Sequence, residues 1–238
     1  MTKVLVNFIQ DRSGSMQSVW EETLNGFRAF IKELREKGEK DGVDYLVSLT
    51  TFDTLVEAPV IAEPIKNVDL NVLAKHGPRG STALYDAVGA TIQNTDANRH
   101  DADKIIVVVV TDGHENSSRE WTKDRLHSAV NAKLNAGDWT FTYLGTQPET
   151  WDDAQALGLH RAAASSYDPL RTPAVYTALA TSVLRMSSSP HRSTDDLLGL
   201  FTTPEERISA GIKKEPAKAE EKKEEETGSK PADKSHWR

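Results

Sequence analysis

The chain is 238 residues long, 37% hydrophobic and 27% charged, with 36 acidic against 29 basic residues and a formal net charge of −7. It has no cysteine, which excludes disulfides, zinc–thiolate centres, iron–sulfur clusters and thiol nucleophiles. The acid excess lies in residues 1–212, since 213–238 holds eight basic and seven acidic groups; an acidic globular part argues against binding nucleic acid or an anionic membrane surface.

Residues 3–10 read as an apolar strand, Val4-Leu5-Val6-Asn7-Phe8-Ile9 at its centre. It runs into Asp11-Arg12-Ser13-Gly14-Ser15-Met16, a turn with one carboxylate and two hydroxyls spaced two apart, which Gly14 allows to bend tightly. An oxygen-only donor set suits Mg²⁺, Ca²⁺ or Mn²⁺ rather than Zn²⁺ or Cu²⁺. A helix is expected from about Gln17 to Lys37, because Val19, Leu24, Phe27, Ile31 and Leu34 recur every three to four residues, and Gly38 reads as its stop. Tyr45–Phe52 and Leu55–Ile61 are separated only by Asp53-Thr54 and predict an antiparallel hairpin, with Pro59 favouring an edge position.

A polar loop over about 66–81 leads to a second helix at about 83–95. Ile105–Val110 is β-branched throughout and apolar on both faces, the pattern of a central parallel strand. Thr122 is placed to cap a helix whose Leu126, Val130 and Leu134 share a face and which stops near Gly137. Trp139–Leu144 reads as a strand, followed by a helix near 149–157 and a short strand near 161–166. Thr172-Pro173 opens a helix to about Met186, a capping residue followed by proline at the first helical position.

Alternating apolar runs and helical patterns predict an α/β fold: a three-layer, Rossmann-like domain over 1–190 with a mostly parallel sheet, one antiparallel edge strand and helices on both faces. Ser187-Ser188-Ser189-Pro190 breaks the pattern. A short extended or docked segment is expected over 191–212 and a disordered, charged tail over 213–238. No apolar run approaches the ~18 residues of a membrane span. The first strand lacks a signal-peptide cleavage pattern, so the cytoplasm is the expected location.

In an open parallel sheet, ligands bind where strand C-termini meet the following loops. Three loops bring oxygen donors to that level: Asp11-x-Ser13-x-Ser15, Gly80-Ser81-Thr82 before the second helix, and Thr111-Asp112-Gly113 after the Ile105–Val110 strand. Over residues 3–186 this order resembles the von Willebrand factor A (vWA) domain and its metal-ion-dependent adhesion site (MIDAS). It is similar to the intracellular bacterial and phage type that reads Asp-Arg-Ser-Gly-Ser-Met, Gly-Thr-Ala-Leu-x-Asp-Ala and Thr-Asp-Gly-x-Glu-Asn. This chain reads Ser81-Thr82-Ala83-Leu84-Tyr85-Asp86-Ala87 and Thr111-Asp112-Gly113-His114-Glu115-Asn116 in the latter two places.

The resemblance implies a metal site of Asp11, Ser13, Ser15, Thr82 and Asp112. Ser13, Ser15 and Thr82 would be direct hydroxyl ligands, with Asp11 and Asp112 acting through water or hydrogen bonds. It implies Mg²⁺, with Mn²⁺ or Ca²⁺ as substitutes, and a partner protein whose Asp or Glu carboxylate completes the ion's coordination. The implied role is binding without catalysis in a bacterial or phage assembly, for example beside an AAA+ ATPase, in the host cytoplasm if phage-encoded. A structural or virion-associated component using the metal only for stability is the alternative.

Asp86, one turn beyond Thr82, is placed either to hydrogen-bond a site group or to favour the helix N-terminal dipole. His114 and Glu115 read as a solvated rim, and Trp237 as part of an inert tail. A Mg²⁺-dependent phosphatase of the haloacid dehalogenase type would need Asp-x-Asp after the first strand. Ser13 at the second position leaves it no general acid. No nucleophile elbow, phosphate loop or dinucleotide fingerprint is present.

Overall fold

The structure, a computed structural model, describes residues 2–147, 149–160, 163–168, 171–188 and 211–213. Apart from 211–213, the expected segment over 191–212 and the charged tail, Trp237 included, lie outside the described residues.

The central sheet runs in the order β3 (Val56–Pro64), β2 (Val43–Phe52), β1 (Thr2–Asp11), β4 (Lys104–Val110), β5 (Trp139–Gly145), β6 (Ala164–Tyr167) and β7 (Ile212–Lys213). Strands β2, β1, β4, β5 and β6 are mutually parallel, and β3 is the antiparallel edge beyond β2. At the opposite edge the two-residue β7 also runs antiparallel, against β6. Among the described residues five α-helices connect the strands: α1 (Trp20–Asp41), α2 (Leu84–Asn98), α3 (Lys123–Ala136), α4 (Thr150–Ala156) and α5 (Thr172–Ser188).

Alternation along β1 and β4 decides which helices lie on which face. Val4, Val6, Phe8, Ile106, Val108 and Val110 belong to a core shared with α1 and α5. Leu5, Ile9, Ile105, Val107 and Val109 face the core under α2, α3 and α4. Both faces are therefore buried, as a parallel sheet flanked by crossover helices requires. On the first face the Phe8 ring meets Phe27, Phe30 and Tyr176, with centroids 5.5, 5.2 and 5.6 Å away.

Boundaries move where packing overrides local signals. The helix expected from Gln17 is preceded by a 3₁₀ turn over Gly14–Val19, and α1 proper starts at Trp20. Gly38 is not its stop. A side chain there would meet the Tyr45 ring at 2.6 Å, so Gly38 serves close packing inside the helix, and Gly42, in the left-handed region, ends it. The hairpin turn includes Leu55 as well as Asp53 and Thr54. Thr122 does cap α3, accepting from the Arg125 amide at 3.3 Å, and Gly137 closes that helix in the left-handed conformation.

Within α2, Gly89 lies under the Trp121 indole, where an added methyl would stand 2.2 Å from ring carbons. Glycine-to-alanine in a helix ordinarily gains about 1 kcal/mol. Overpacking a buried site costs about 1–3 kcal/mol, and Trp121 is buried with little room to retreat. Gly89→Ala is thus expected to lower stability by about 1–2 kcal/mol, seen as a reduced urea midpoint at unchanged slope.

Candidate metal centre

Asp11 ends β1 and Val110 ends the neighbouring β4, with Gln10 and Val110 in register. Their loops therefore leave the sheet side by side at its C-terminal edge. The loop before α2 closes the third side, where the Gly14 amide donates to the Gly80 carbonyl at 3.1 Å and the Asn116 amide donates to the Thr82 carbonyl at 3.0 Å. Asn116 returns a second link, its Oδ1 accepting from the Thr82 amide at 2.9 Å.

All five predicted residues meet at this point. The Ser13 and Ser15 hydroxyl oxygens are 3.0 Å apart, and Ser15 donates to Asp112 Oδ1 at 2.7 Å. Gly113 brings Thr82 in: a Cβ built on it would lie 3.3 Å from Thr82 Oγ1, which it would crowd, and 3.9 Å from Ser15 Oγ, an ordinary contact. Thr82 is buried, yet its side chain does not cap α2. The hydroxyl makes no hydrogen bond among the described residues, so it is left for the cluster.

Asp11 lies beneath the hydroxyls, fully buried. Its Oδ1 accepts from the Ser13 amide at 2.6 Å, which shapes the turn, and its Oδ2 accepts from Thr111 Oγ1 at 2.5 Å. Burial pushes its carboxyl up to about 6, against the hydrogen bonds from Thr111 and Ser13, while the nearby Asp112 charge adds to the rise. Asp112 is raised too, by partial burial, although the Ser15 hydrogen bond opposes it. Two carboxylates thus converge where burial disfavours their charge, an environment a cation would relieve.

The donor set fits a hard divalent ion. Neighbouring oxygens on a Mg²⁺ octahedron with bonds of roughly 2.0–2.1 Å stand about 2.9 Å apart. The Ser13–Ser15 separation of 3.0 Å is close to that edge, and the 2.7 Å hydrogen bond from Ser15 to Asp112 suits a carboxylate that orients a ligand from outside the shell. Among the described residues no group of three or more His, Cys, Asp or Glu side chains is arranged to hold a metal, so a cation here would depend on hydroxyl oxygens.

The surrounding residues differ from their sequence reading in one place. Glu115 is not a solvated rim residue. Its Oε1 accepts from the Ser117 and Ser118 amides at 2.9 and 2.7 Å, and its Oε2 accepts from the Tyr85 amide at 2.9 Å and Ser118 Oγ at 2.7 Å. It thereby ties the loop after β4 to the first turn of α2. Asp86 stands in the first turn of α2, the second of its two expected roles, and among the described residues it hydrogen-bonds no member of the cluster; it accepts from the amides of Arg119, Glu120 and Trp121 at 2.8, 3.0 and 2.7 Å and secures the far end of that loop. His114 is exposed, with Nδ1 2.9 Å from Asp153 Oδ2.

Sequence reasoning assigned no role to Thr111, Gln147, Arg12 or Asp53. Gln147 Nε2 donates to the Asp112 carbonyl at 2.9 Å and steadies the turn from β5's side. Thr111 was visible only as the first letter of Thr-Asp-Gly, and nothing local showed its hydroxyl reaching Asp11. An arginine directly beside the turn's carboxylate was the one signal for Arg12.

The fold and this cluster of loops at one sheet edge define the class: the chain has the von Willebrand factor A fold. No family model matches the sequence, and no curated protein matches it. Solved structures do. The vWF domain of the type V pili tip protein Mfa5 from Porphyromonas gingivalis is similar with a TM-score of 0.61 at 10% identity, over 81% of this chain and 98% of that one. Proximal thread matrix protein 1 from the mussel byssus, with a zinc-occupied MIDAS motif, gives 0.58 at 18% identity, over 77% and 47%. The manganese-loaded TRAP protein of Plasmodium vivax gives 0.51 at 19%, over 72% and 71%. The chain spans less than half the length of the mussel protein, and at these identities the likeness is one of fold.

Proposed function

We propose that this chain is a metal-dependent protein-binding module without catalytic activity, whose ion engages an Asp or Glu carboxylate of a partner within a multiprotein assembly. The observation that carries this reading is the meeting of three hydroxyls and two carboxylates from three separate loops, with the Ser13 and Ser15 oxygens spaced as two ligands of a small octahedral cation would be. Ser13, Ser15 and Thr82 would hold Mg²⁺, with Asp11 and Asp112 orienting them and balancing its charge. A bound ion so surrounded by neutral oxygens supplies positive charge for an incoming carboxylate. The zinc-occupied MIDAS of the mussel protein and the manganese-loaded TRAP protein lend support by analogy of fold.

Two features favour binding over reaction. The hydroxyls of Ser13 and Ser15 hydrogen-bond each other and Asp112 rather than a histidine, so neither has the imidazole partner of a Ser–His nucleophile. Ser13 also stands where a phosphatase of this strand order would need its second aspartate.

The test is titration of the metal-free protein with Mg²⁺ and Mn²⁺ by calorimetry, followed by partner capture with and without EDTA. Saturable binding of one ion and loss of partner on chelation are expected. A protein that binds no divalent ion would end this reading. One that binds an ion, melts lower on chelation and keeps its partner would instead make the metal a structural element.

A further inference from the structure

We propose that Arg12, with Asp53 as its buried counter-charge, is a positioning residue for the metal centre: it locks the Ser13–Ser15 turn to the loop that carries Thr82. The inference rests on the metal-binding reading above.

Arg12 sits between Asp11 and Ser13, so its side chain must leave the oxygen cluster on the other side of the turn. It does not go to solvent. The residue is 2% exposed, and its Nη2 lies 3.1 Å from both Asp53 Oδ2 and Glu57 Oε2, with Nη1 3.2 Å from His76 Nδ1. Neither Nε nor Nη2 makes a hydrogen bond of good geometry, so the contacts of Nη2 with Asp53 and Glu57 are ion pairs. A guanidinium buried with part of its fork unsatisfied is a poor source of net stability, since desolvation offsets much of the attraction to its partners. Its effect is therefore to be sought in geometry.

The geometry is specific. Asp53 is as buried as Arg12 and belongs to the turn between β2 and β3. Its carboxylate also accepts from Arg79 Nε at 2.8 Å and the Leu55 amide at 2.7 Å, while its carbonyl accepts from the Ala83 amide at 2.9 Å. Ala83 follows Thr82 directly. One residue thus grips Arg12 through its side chain and the neighbour of Thr82 through its backbone. Main-chain bonds run the same way: the Arg12 amide to the Phe52 carbonyl and the Arg79 amide to the Arg12 carbonyl, both at 2.8 Å.

The Ser13–Ser15 turn, the hairpin tip and the 79–83 loop are consequently one unit, and the buried Arg12–Asp53 pair is its side-chain pin. A small ion with short bonds tolerates little displacement of its ligands. Slack between the serines and Thr82 would therefore lower affinity even in a protein that remains folded.

The experiment measures Mn²⁺ affinity by calorimetry, and urea unfolding in EDTA, for wild type, Arg12→Gln, Arg12→Lys, Asp53→Asn and the Arg12→Gln/Asp53→Asn double variant. Removing an outer-shell partner typically costs about 10–100-fold in metal affinity, and a loss in that range is expected for each single glutamine or asparagine variant. The double variant should lose no more than the worse single, because one pin is broken either way. Lysine keeps the charge but not the planar fork, so Arg12→Lys should recover part of the affinity. Arg12→Gln binding Mn²⁺ within about twofold of wild type while folded would overturn the proposal, as would losses that simply multiply in the double variant. If Arg12→Gln does not fold, Arg12→Lys and Asp53→Asn decide it: unchanged affinity in both overturns it. A wild-type protein without Mn²⁺ binding removes the metal reading itself, a result distinct from any of these.

Discussion

Replacing Thr82 by alanine is expected to lower Mg²⁺ or Mn²⁺ affinity by on the order of 100-fold while leaving the metal-free protein nearly as stable as wild type. Thr82 Oγ1 makes no hydrogen bond among the described residues and caps no helix, so its removal breaks no internal bond of the fold. What holds the loop in place is the backbone: the Thr82 amide and carbonyl are both engaged by Asn116, and the following amide by Asp53. An alanine keeps all of these. The loss therefore falls on the cation, which forfeits the only proposed ligand from this loop.

Because a ligand stabilises the fold by mass action, saturation at about 100 times Kd is worth about 2.7 kcal/mol. A 100-fold weaker site would forfeit nearly all of that at the same ion concentration. Thermal melts with EDTA and with Mg²⁺ should show a metal-dependent rise in wild type and in Thr82→Ser, and almost none in Thr82→Ala. A Thr82→Ala protein that keeps the full rise would remove Thr82 from the site.

Asp11→Asn should separate stability from binding in the opposite direction. In the metal-free protein the Asp11 carboxyl is fully buried and its pKa is pushed up to about 6 by desolvation, so its ionised form works against the fold at neutral pH. For an acid raised in the folded state, the favourable contribution is complete below the unfolded pKa and is lost as pH rises through the folded one. Asparagine carries no charge to bury and can still accept from the Ser13 amide while donating to Thr111. In EDTA, Asp11→Asn should thus match wild type near pH 4 and exceed it progressively between pH 4 and 7. The margin would approach about 3 kcal/mol, the worth of a two-unit shift in a buried group. With Mg²⁺ present the order should invert, since the charge that destabilises the metal-free protein is the one that a cation needs. Urea denaturation at pH 4.5 and 7, with and without Mg²⁺, gives the four values required. An Asp11→Asn protein less stable than wild type in EDTA at pH 7 would mean that the carboxylate's hydrogen bonds outweigh its desolvation.

Arg12 and Glu115 mark the limit of local reading. Both look like charged turn residues bound for solvent, and a charged side chain in a loop ordinarily is. Burial of Arg12 depends on two carboxylates and a histidine supplied from positions 41 to 64 residues away, at Asp53, Glu57 and His76. Glu115 departs from the rim because the first turn of α2 offers it the free Tyr85 amide, as helix N-termini do. Gly38 is the converse case, a glycine whose stop signal is overruled because a tyrosine ring on the next strand needs the space.

The sequence by itself determined the α/β class, the strands and their two buried faces, and all five residues of the candidate centre. The elements rest on short-range physics, since period-two and period-3.6 apolar patterns set them; oxygen donors clustered within turns also show in a few letters, but the choice of those five residues rests on the resemblance to the vWA family. The tertiary structure alone decided how those turns meet. Parallel pairing of β1 with β4 brings Asp11 and Asp112 to one edge, and the bare face of Gly113 admits Thr82 beside Ser15. A buried Arg12–Asp53 pair fastens the loops that hold them. Such contacts span 31 to 98 positions of chain, and no local pattern encodes a distance of that kind.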